Sequence, residues 1–531
     1  MTVTTFPTAA RAESAPQDLV EAAQKLAQSH GVLQKAKTQK QFFDRLEKTG
    51  RFLRQCYQAV IAAVVRDEPI PPAEEWLVDN FHFIGEQIKA IQQDLPKKYY
   101  SELPCVAAGP LQGYPRVFEM AISLTNYTDY GLDEEMIRGY IDAYQTVSNL
   151  KTGELWALAI FLRFVLMENL AQLMDLSERD RKLDYEIQQI MTELERHAAS
   201  STEQAVRYLE DRLPEETLQR NLSIVHLILQ GRSGKPETQA LAHALEIRML
   251  DAGLSIEEII RAENQEVAKT QVSTRNTVLS LRLLGSIDWS KLVESTSAVD
   301  RILRQDPIRM YEQCDFATRD SYRHVIERIS RRTNTFSEVQ VAQEAVALSQ
   351  QALEAEPSDV RRGHIGFYLV DEGRKILEKR VAYQPGFFLR LQRLLEEEYA
   401  FLSYQISFWL LTAFFIILIL QFVAAYTTHP GWLIFSALLL VLPCSSLGLT
   451  LINWLVTHSV PPVILPKLEW KEGIPAEFKT IVVLPTVISD STDIREAVAQ
   501  LEIHYLANSD ENLEFAVLSD YADSPTETTH D

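Results

Sequence analysis

Cysteine is scarce in this sequence and follows no pattern that would hold a metal or a disulfide framework. The 531 residues include four cysteines, which are widely separated: Cys56, Cys105, Cys314 and Cys444. Zinc sites need closely spaced Cys or His pairs, and disulfide-stabilised domains need a dense, even set of cysteines. The sequence therefore excludes both classes, and it suits a reducing cytoplasm.

A basic excess is also missing. The chain has 52 Lys and Arg against 73 Asp and Glu, a formal net charge of -21. Because phosphate backbones are bound mainly by Lys and Arg, this balance argues against nucleic acid as a partner. Residues 1–17 lack an apolar core, so they predict a disordered tail rather than a signal peptide. No P-loop or hydrolase nucleophile motif occurs either.

Two long apolar runs organise the chain. Residues 406–425 and 432–456 carry no charged side chain, and each is near the length that crosses a bilayer as a helix. The alternative is a pair of buried core helices in a soluble protein, but core helices rarely need uncharged runs of this length. The sequence predicts a transmembrane hairpin over residues 405–457.

Basic residues flank both ends of this hairpin and are missing from its turn. They are Arg374, Lys375, Lys379, Arg380, Arg390 and Arg393 before it, and Lys467, Lys471 and Lys479 after it. Short cationic flanks mark the cytoplasmic side, so both ends are predicted to face the cytoplasm. The pairs Arg331-Arg332 and Arg361-Arg362 are either solvated or face the anionic inner leaflet.

Residues 18–404 have almost continuous helical periodicity and predict a cytoplasmic helical domain. Helix-start signals occur at Thr152, Ser177, Ser255, Asp288, Asp320 and Ser337. Prolines and glycines in residues 96–115 predict a loop, and residues 363–370 are left unassigned. Trp76 and His82 are predicted to pack in a core, because the apolar face of their helix needs filling.

After the hairpin, prolines in residues 458–478 predict an extended connector. Residues 479–485 and 513–518 read as strands, with an amphipathic helix over 489–506 between them. Strand, helix, strand is a βαβ unit, whose strands are parallel and whose carboxyl ends share one rim. Two strands cannot bury both faces of a sheet, so residues 479–531 are expected to be the start of a larger α/β domain.

Several sequence blocks are distinctive: EWLVDNF (75–81), LPKKYYSELP (95–104), AGPLQGYPRV (108–117), TGELWAL (152–158), LRLLGSIDW, DFATRDSYRHVIERI, GHIGFYLVDEGR (363–374), IPAEFKTIVVLPTVIS and QLEIHYLANSDENLEFAVLSDYADSPTET. Over roughly residues 75–528, they resemble the amino-terminal part of bacterial cyclic β-1,2-glucan synthases. The resemblance implies a mainly α protein that ends in the first βαβ unit of a GT-A-like glycosyltransferase domain. It also implies a membrane glucosyltransferase that polymerises glucose from UDP-glucose into cyclic β-1,2-glucan.

Further expectations come from the same resemblance. The complete enzyme is expected to use a divalent metal, Mg²⁺ or Mn²⁺, held by aspartates that would follow residue 531, together with a general base. This chain alone is then expected to bind no metal, to bind UDP-glucose weakly or not at all, and to have no activity. Its expected partners are the lipid bilayer and the rest of the synthase, and no catalytic residue is assigned in it.

Four residues are the candidate nucleotide-sugar contacts. The carboxylate of Asp520 follows the second predicted strand, and the resemblance implies that it accepts hydrogen bonds from uracil or ribose. Pro485 and Thr486 at the end of the first strand, and Asp523, complete the set. The alternative for Asp520 is an ordinary turn, since Asp and Ser favour turns. Asp490 is better explained as a helix start, where negative charge suits the helix dipole.

Two other function classes remain open at this point. The first is a non-catalytic, membrane-anchored helical scaffold that binds a partner protein. The second is a transporter component, which the lack of charged residues inside the spans disfavours. Half a sheet has no use in a self-sufficient scaffold, so the enzyme is the favoured reading.

Overall fold

The computed structural model of the chain is mostly helical. It describes residues 16–30, 32–33, 37–68, 70–198, 225, 228, 232, 236–251, 255–333, 335–386, 389–390, 393, 400–426, 429–459, 465–521 and 523. Residues 1–15 of the predicted tail (residues 1–17) lie outside the described residues. Contacts divide the chain into two compact units, Met1–Arg301 and Ile302–Asp531. This boundary falls within the predicted helical domain.

The first unit is a helical bundle. Its helices are α1 (Pro16–Ser29), α2 (Gln39–Val65), α3 (Pro72–Asp94), α4 (Lys97–Glu102), α5 (Arg116–Tyr127), α6 (Glu134–Gln145), α7 (Thr152–Ala198), α8 (Pro236–Asp251), α9 (Ile256–Ser286) and α10 (Trp289–Thr296), with α11 (Ala298–Leu303) crossing the unit boundary. The short strands β1 (Val32–Leu33) and β2 (Cys105–Val106) pair antiparallel. Buried aromatic rings of α2, α5 and α7 fill the core, with Phe42 and Phe164 centred 4.7 Å apart.

Helix α7 runs through this core. It begins at Thr152 as predicted, but the predicted second start at Ser177 is wrong. Ser177 lies inside the helix, where its hydroxyl donates to Oε1 of Glu74 at 3.2 Å. A hydroxyl that has a tertiary partner does not need to cap a new helix, so α7 continues without a break for 47 residues.

Three helices in the described part of the chain are long and apolar enough to cross a membrane, judged by length and composition: Thr152–Lys182, Phe401–Ala424 and Pro430–His458. Their surroundings differ. The most apolar window of the first is 78% buried inside the protein, whereas those of the other two are 6% and 11% buried. The first is therefore accounted for as a core helix, and the other two present their apolar side chains outward.

The helix-start signals have mixed outcomes. Ser255, Asp288 and Ser337 each accept a hydrogen bond from a backbone N–H of the first turn, and Ser337 completes a capping box with Gln340. The start predicted at Asp320 is wrong. The helix begins earlier, because Oδ1 of Asp315 accepts from the N–H of Thr318 at 2.9 Å.

The loop predicted for residues 96–115 is partly wrong, since it contains α4 and β2. Its turns do depend on glycine: Gly109 and Gly113 have φ of +100° and +83°, a region that residues with a Cβ rarely adopt. Residues 363–370, left unassigned above, contain the short helix Ile365–Val370.

The second unit combines a small helical group, the two outward apolar helices and a parallel sheet. Its elements are α12 (Met310–Gln313), α13 (Phe316–Ser330), α14 (Glu338–Ala355), α15 (Ile365–Val370), α16 (Arg374–Arg380), α17 (Ala400–Ala424), α18 (Pro430–Ser459), β3 (Thr480–Ile488), α19 (Ser491–Ala507) and β4 (Leu513–Tyr521).

Helices α17 and α18 pack side by side and antiparallel. Near one end, the hydroxyl of Tyr404 donates to Oδ1 of Asn453 at 2.8 Å. Further along, Gly448 lies so close to Thr412 that a Cβ on the glycine would be 3.0 Å from Oγ1 of the threonine. Pro443 lies inside α18.

The described part of the connector is bonded to the helical group. Leu468 forms an antiparallel bridge with Cys314, and the N–H of Asp315 donates to the carbonyl of Lys467 at 2.9 Å. The N–H of Lys467 in turn donates to Oγ1 of Thr318 at 3.0 Å. Chain that precedes α17 and chain that follows α18 are therefore held together.

Candidate functional site

Strands β3 and β4 form a parallel pair, as the βαβ reading predicted. Their register runs from Thr480 opposite Leu513 to Ile488 opposite Tyr521. Helix α19 connects the strands and packs on one face of the sheet, where the rings of Tyr505 and Phe515 meet edge to face at 6.1 Å. The predicted small parallel sheet is therefore present.

Both strands extend three residues beyond their predicted ends. Main-chain pairing continues through Thr486 opposite Ser519 and Val487 opposite Asp520, so these residues lie inside the strands and not after them. Pro485 does not end β3, although proline has no backbone N–H to donate to a hydrogen bond between strands. It is tolerated because β4 is the one strand that pairs with β3 in the described sheet, which leaves β3 at an edge.

The register separates the candidate residues onto two faces. Side chains alternate along a strand, and directly paired residues of neighbouring strands point to the same face. Asp520 therefore shares a face with Pro485, since Pro485 pairs with Leu518 two residues before it. Thr486 belongs to the opposite face, the one that carries α19. Asp523 is exposed, two residues after β4 ends.

The face that holds Asp520 and Pro485 is open. Its apolar residues Ile481, Val487 and Leu518 are 57%, 62% and 64% exposed, and no described element covers them. Parallel sheets of α/β proteins carry cover on both faces. The open face is thus the one on which further protein or a ligand would lie, with Asp520 at its carboxyl end.

Asp490 performs the structural role predicted for it. Its carboxylate accepts from the N–H groups of Thr492 and Asp493 at 2.5 and 3.1 Å, and Asp493 completes a capping box. These backbone donors lower the pKa of Asp490. This carboxylate is therefore committed to the start of α19.

A second carboxylate of β4 provides a contrast. Glu514 lies on the same open face as Asp520 but at the opposite end of the strand, and it pairs with Nζ of Lys479 at 2.7 Å. The hydrogen bond from Lys479 lowers the pKa of Glu514. Ligands of parallel sheets bind at the carboxyl ends of strands, so Glu514 is placed away from the rim.

A divalent metal has no ligand set here. Among the described residues, no group of three or more His, Cys, Asp or Glu side chains is close enough together to hold an ion. Mg²⁺ is usually held by carboxylates in a near-octahedral set of oxygens, and Asp520 with Asp523 does not form such a set. We assign no metal ligand and derive no step through a metal.

The cysteines offer no nucleophile outside the apolar helices. All are free and buried, and burial raises the pKa of Cys56 and Cys105 to about 12 and that of Cys314 to about 11. Reactive cysteines have the opposite shift, because the thiolate is the attacking species. These thiols pack as small apolar groups.

One polar network escaped the sequence analysis. The buried carboxylate of Asp306 accepts from Nδ1 of His364 at 2.9 Å, and Nε2 of the same imidazole lies 3.4 Å from the hydroxyl of Tyr322. Tyr322 is itself buried. The three residues are 58 and 42 positions apart in sequence, so no local spacing could have indicated the contact. The network joins three separate parts of the second unit.

A curated protein is similar to most of the chain. No family model matches the chain. The chain is 31% identical over 491 residues to the cyclic beta-(1,2)-glucan synthase NdvB of Rhizobium meliloti. The match covers 92% of this chain but 17% of that protein, so the chain spans less than a fifth of the length of the curated relative. Over these residues, the chain is similar to a cyclic β-(1,2)-glucan synthase.

Proposed function

We propose that this chain is part of a membrane glucosyltransferase that polymerises glucose from UDP-glucose into cyclic β-1,2-glucan. The similarity along nearly the whole chain to a protein named for that product supports the proposal. The scaffold alternative receives no support from the comparison. The chain's own contribution is a membrane anchor and a strand pair that can receive a nucleotide.

In this proposal α17 and α18 form a transmembrane hairpin in the bacterial inner membrane, with both flanks in the cytoplasm. Their almost wholly outward apolar surface supports it, because such a surface is costly in water and favourable in lipid. The bridge between Cys314 and Leu468 supports a common side for the two flanks. The basic residues of those flanks, absent between the helices, favour the cytoplasmic side.

The β3–β4 unit is proposed as the first part of a GT-A-like nucleotide-binding domain. The observation that carries this assignment is the register, which sets Asp520 beside Val487 and on one face with Pro485, at the carboxyl end of a parallel pair. A carboxylate there can accept hydrogen bonds from the uracil imide or the ribose hydroxyls. Thr486 and Asp523 are proposed as flanking contacts.

The roles of this chain are then binding and orientation. Mg²⁺ or Mn²⁺ in the complete enzyme would hold the diphosphate and assist its departure. The metal ligands and the base that activates the acceptor hydroxyl are left to residues outside the described set. We expect the 531-residue chain alone to incorporate no radiolabelled glucose from UDP-glucose above a boiled control.

The nucleotide assignment is tested in the full-length enzyme by calorimetry with UDP. Asp520→Ala should weaken UDP affinity by roughly ten- to a hundredfold, since a hydrogen bond to a charged group contributes about 1.5–3 kcal/mol. Glu514→Ala is the matched control, because it removes a carboxylate from the same strand and face at the other end. Equal affinities for Asp520→Ala and Glu514→Ala, in folded proteins, would refute the role of Asp520.

A further inference from the structure

Residues 302–393, here called the juxtamembrane segment, are attached to the apolar helices by two short stretches of chain. The segment ends at Arg393, seven residues before α17 begins, and Arg393 donates to the carboxylate of Glu378 at 2.7 and 2.8 Å. The bond between Lys467 and Thr318 comes eight residues after α18 ends. Because a chain reaches at most about 3.5 Å per residue, both attachments lie within roughly 30 Å of the helix ends.

This segment has a small basic excess, although the protein as a whole is acidic. It contains fifteen Lys and Arg against thirteen Asp and Glu, whereas the whole chain has 52 against 73. Several of its arginines pair with a nearby carboxylate: Arg331 with Glu327, Arg361 with Asp371, Arg362 with Asp359 and Arg380 with Glu344. Arg328 lies in the last turn of α13 and Arg332 follows the helix, and neither forms an ion pair with a described carboxylate. Their charge remains available.

Arginines gather around one buried carboxylate in this segment. Arg374 donates to Glu378 at 3.0 Å, and the same carboxylate receives both bonds of Arg393. Partial burial and the positive charge of the nearby Arg374 lower the pKa of Arg328. Two guanidinium groups thus share the carboxylate of Glu378, and a third lies close to Arg374.

A neighbouring arginine lies beside the chain that leads to α17. The guanidinium of Arg332 rests against Gly386, where a Cβ would collide with it. The adjacent helix α16 has an outward face made of Lys375, Ile376 and Lys379, and the apolar Ile376 is 52% exposed between the two cations. An exposed apolar residue between two cations can contact a lipid surface while the cations attract anionic headgroups.

We propose that this basic cluster, Arg328, Arg332, Arg374 and Arg393 with the outward face of α16, binds anionic phospholipid headgroups. The proposal rests on the membrane location of α17 and α18 proposed above. Guanidinium groups match phosphate with paired hydrogen bonds, and basic residues at a bilayer surface attract anionic lipid. Glutamates 396, 397 and 398 follow in the sequence and oppose this attraction, so the cluster must supply the preference for anionic lipid.

The test reconstitutes the full chain in nanodiscs of phosphatidylcholine, alone or mixed roughly four to one with phosphatidylglycerol. A fluorophore on Ile376→Cys reports contact through quenching by spin-labelled lipid of either headgroup. The native thiols that flank the membrane helices are buried with raised pKa values, so they should stay unlabelled. We expect the spin-labelled phosphatidylglycerol to bind more tightly than the phosphatidylcholine analogue.

Two charge-matched variants decide whether the cluster is responsible. Arg328→Gln with Arg332→Gln should weaken phosphatidylglycerol binding about thirtyfold, from roughly 1 kcal/mol for each surface cation. Arg361→Gln with Arg362→Gln removes the same charge from arginines that already have carboxylate partners, and it should have a much smaller effect. Equal losses in both pairs, or displacement of the lipid by inorganic phosphate, would overturn the proposal.

Failure of this proposal is distinguishable from failure of the membrane location. A chain that enters phosphatidylcholine nanodiscs but shows no preference for phosphatidylglycerol overturns the headgroup site alone. A chain that enters neither kind of nanodisc overturns the transmembrane assignment of α17 and α18 instead.

Discussion

Nδ1 of His364 lies 2.9 Å from Oδ2 of Asp306, a carboxylate with no solvent exposure. The same carboxylate accepts three backbone N–H groups, from Met310 and Tyr311 on one side and from Ile365 on the other, at 3.0–3.1 Å. Asp306 therefore joins helix α15 to the chain that leads to Cys314 and its bridge with the connector. The side chain of Asp306 therefore stabilises both α15 and the chain that leads to Cys314.

Asp306→Ala should destabilise the second unit strongly. It leaves three backbone N–H groups without an acceptor, two of them buried, which costs about 3 kcal/mol and corresponds to a fall in Tm of about 10 °C. Thermal unfolding of the purified chain in detergent measures this change. Asp371→Ala is the control, because its carboxylate is exposed and bonds mainly to the exposed Arg361. A Tm equal to that of the control would show that Asp306 is not a stabilising centre.

Arg116 and Glu154 form a fully buried, two-point ion pair in the first unit. Nε and Nη2 of the arginine donate to the two carboxylate oxygens at 2.6 and 2.7 Å. Burial opposes the charge of Arg116, but the bonds to Glu154 raise its pKa above the usual value. The pair fixes the start of α5 against the start of α7.

Removing one partner of this pair should cost more than removing both. Glu154→Leu leaves a buried guanidinium without a counter-charge, which costs about 3–5 kcal/mol. Arg116→Met combined with Glu154→Leu should regain a substantial part of that loss, because no buried charge is left. Denaturant unfolding of the three proteins gives the comparison. A double variant as unstable as, or less stable than, Glu154→Leu would contradict the buried-pair argument.

The stability of α13 should depend on pH through His324. Its imidazole lies 3.2 Å from the Asp320 carboxylate, and that hydrogen bond raises the pKa of His324 from 6.5 to about 9. A raised histidine pKa contributes stability that is complete below the unfolded value and is lost as pH rises through the folded one. The Tm should therefore fall between pH 6.5 and about 9.

His324→Gln should flatten this part of the Tm profile. Because the imidazole is about half exposed, solvent screening keeps the effect small, and replicate measurements at each pH are needed. His82→Gln, at an exposed position of the first unit, is the control and should leave the slope unchanged. An unchanged slope in His324→Gln would mean that another group causes the pH dependence.

Sequence reasoning succeeded for elements that have a recognisable local sequence pattern. The outward apolar helices α17 and α18 follow from uncharged runs, and the parallel strands follow from their β-branched composition. It failed where capping residues have tertiary partners, as at Ser177. It also failed at His82, which was predicted to fill a core but has a side chain that is 91% exposed. Amphipathic periodicity gives a face only approximately, so a residue at its edge can lie on either side.

For the candidate site, the sequence predicted which residues lie near one another but not which face of the sheet each residue occupies. Adjacent carboxyl ends follow from the βαβ connection alone, and the structure does bring Asp520 and Pro485 to one face. The position of Thr486 on the other face depends on the register and on where pairing stops. These are set by main-chain hydrogen bonds between strands 33 residues apart, which no local pattern reports.

The proposed topology gives a last prediction. If α17 and α18 cross the membrane as a hairpin with cytoplasmic flanks, the turn between them lies on the side of the membrane opposite the cytoplasm. A cysteine at His429, which lies in that turn and is exposed, should react in spheroplasts with a maleimide that cannot cross membranes. A cysteine at the exposed Lys471 should react only after permeabilisation. The native cysteines are buried and give a low background, which the unsubstituted chain measures. External labelling of Lys471→Cys in intact spheroplasts would show that the second flank is outside, and the hairpin would have to be abandoned.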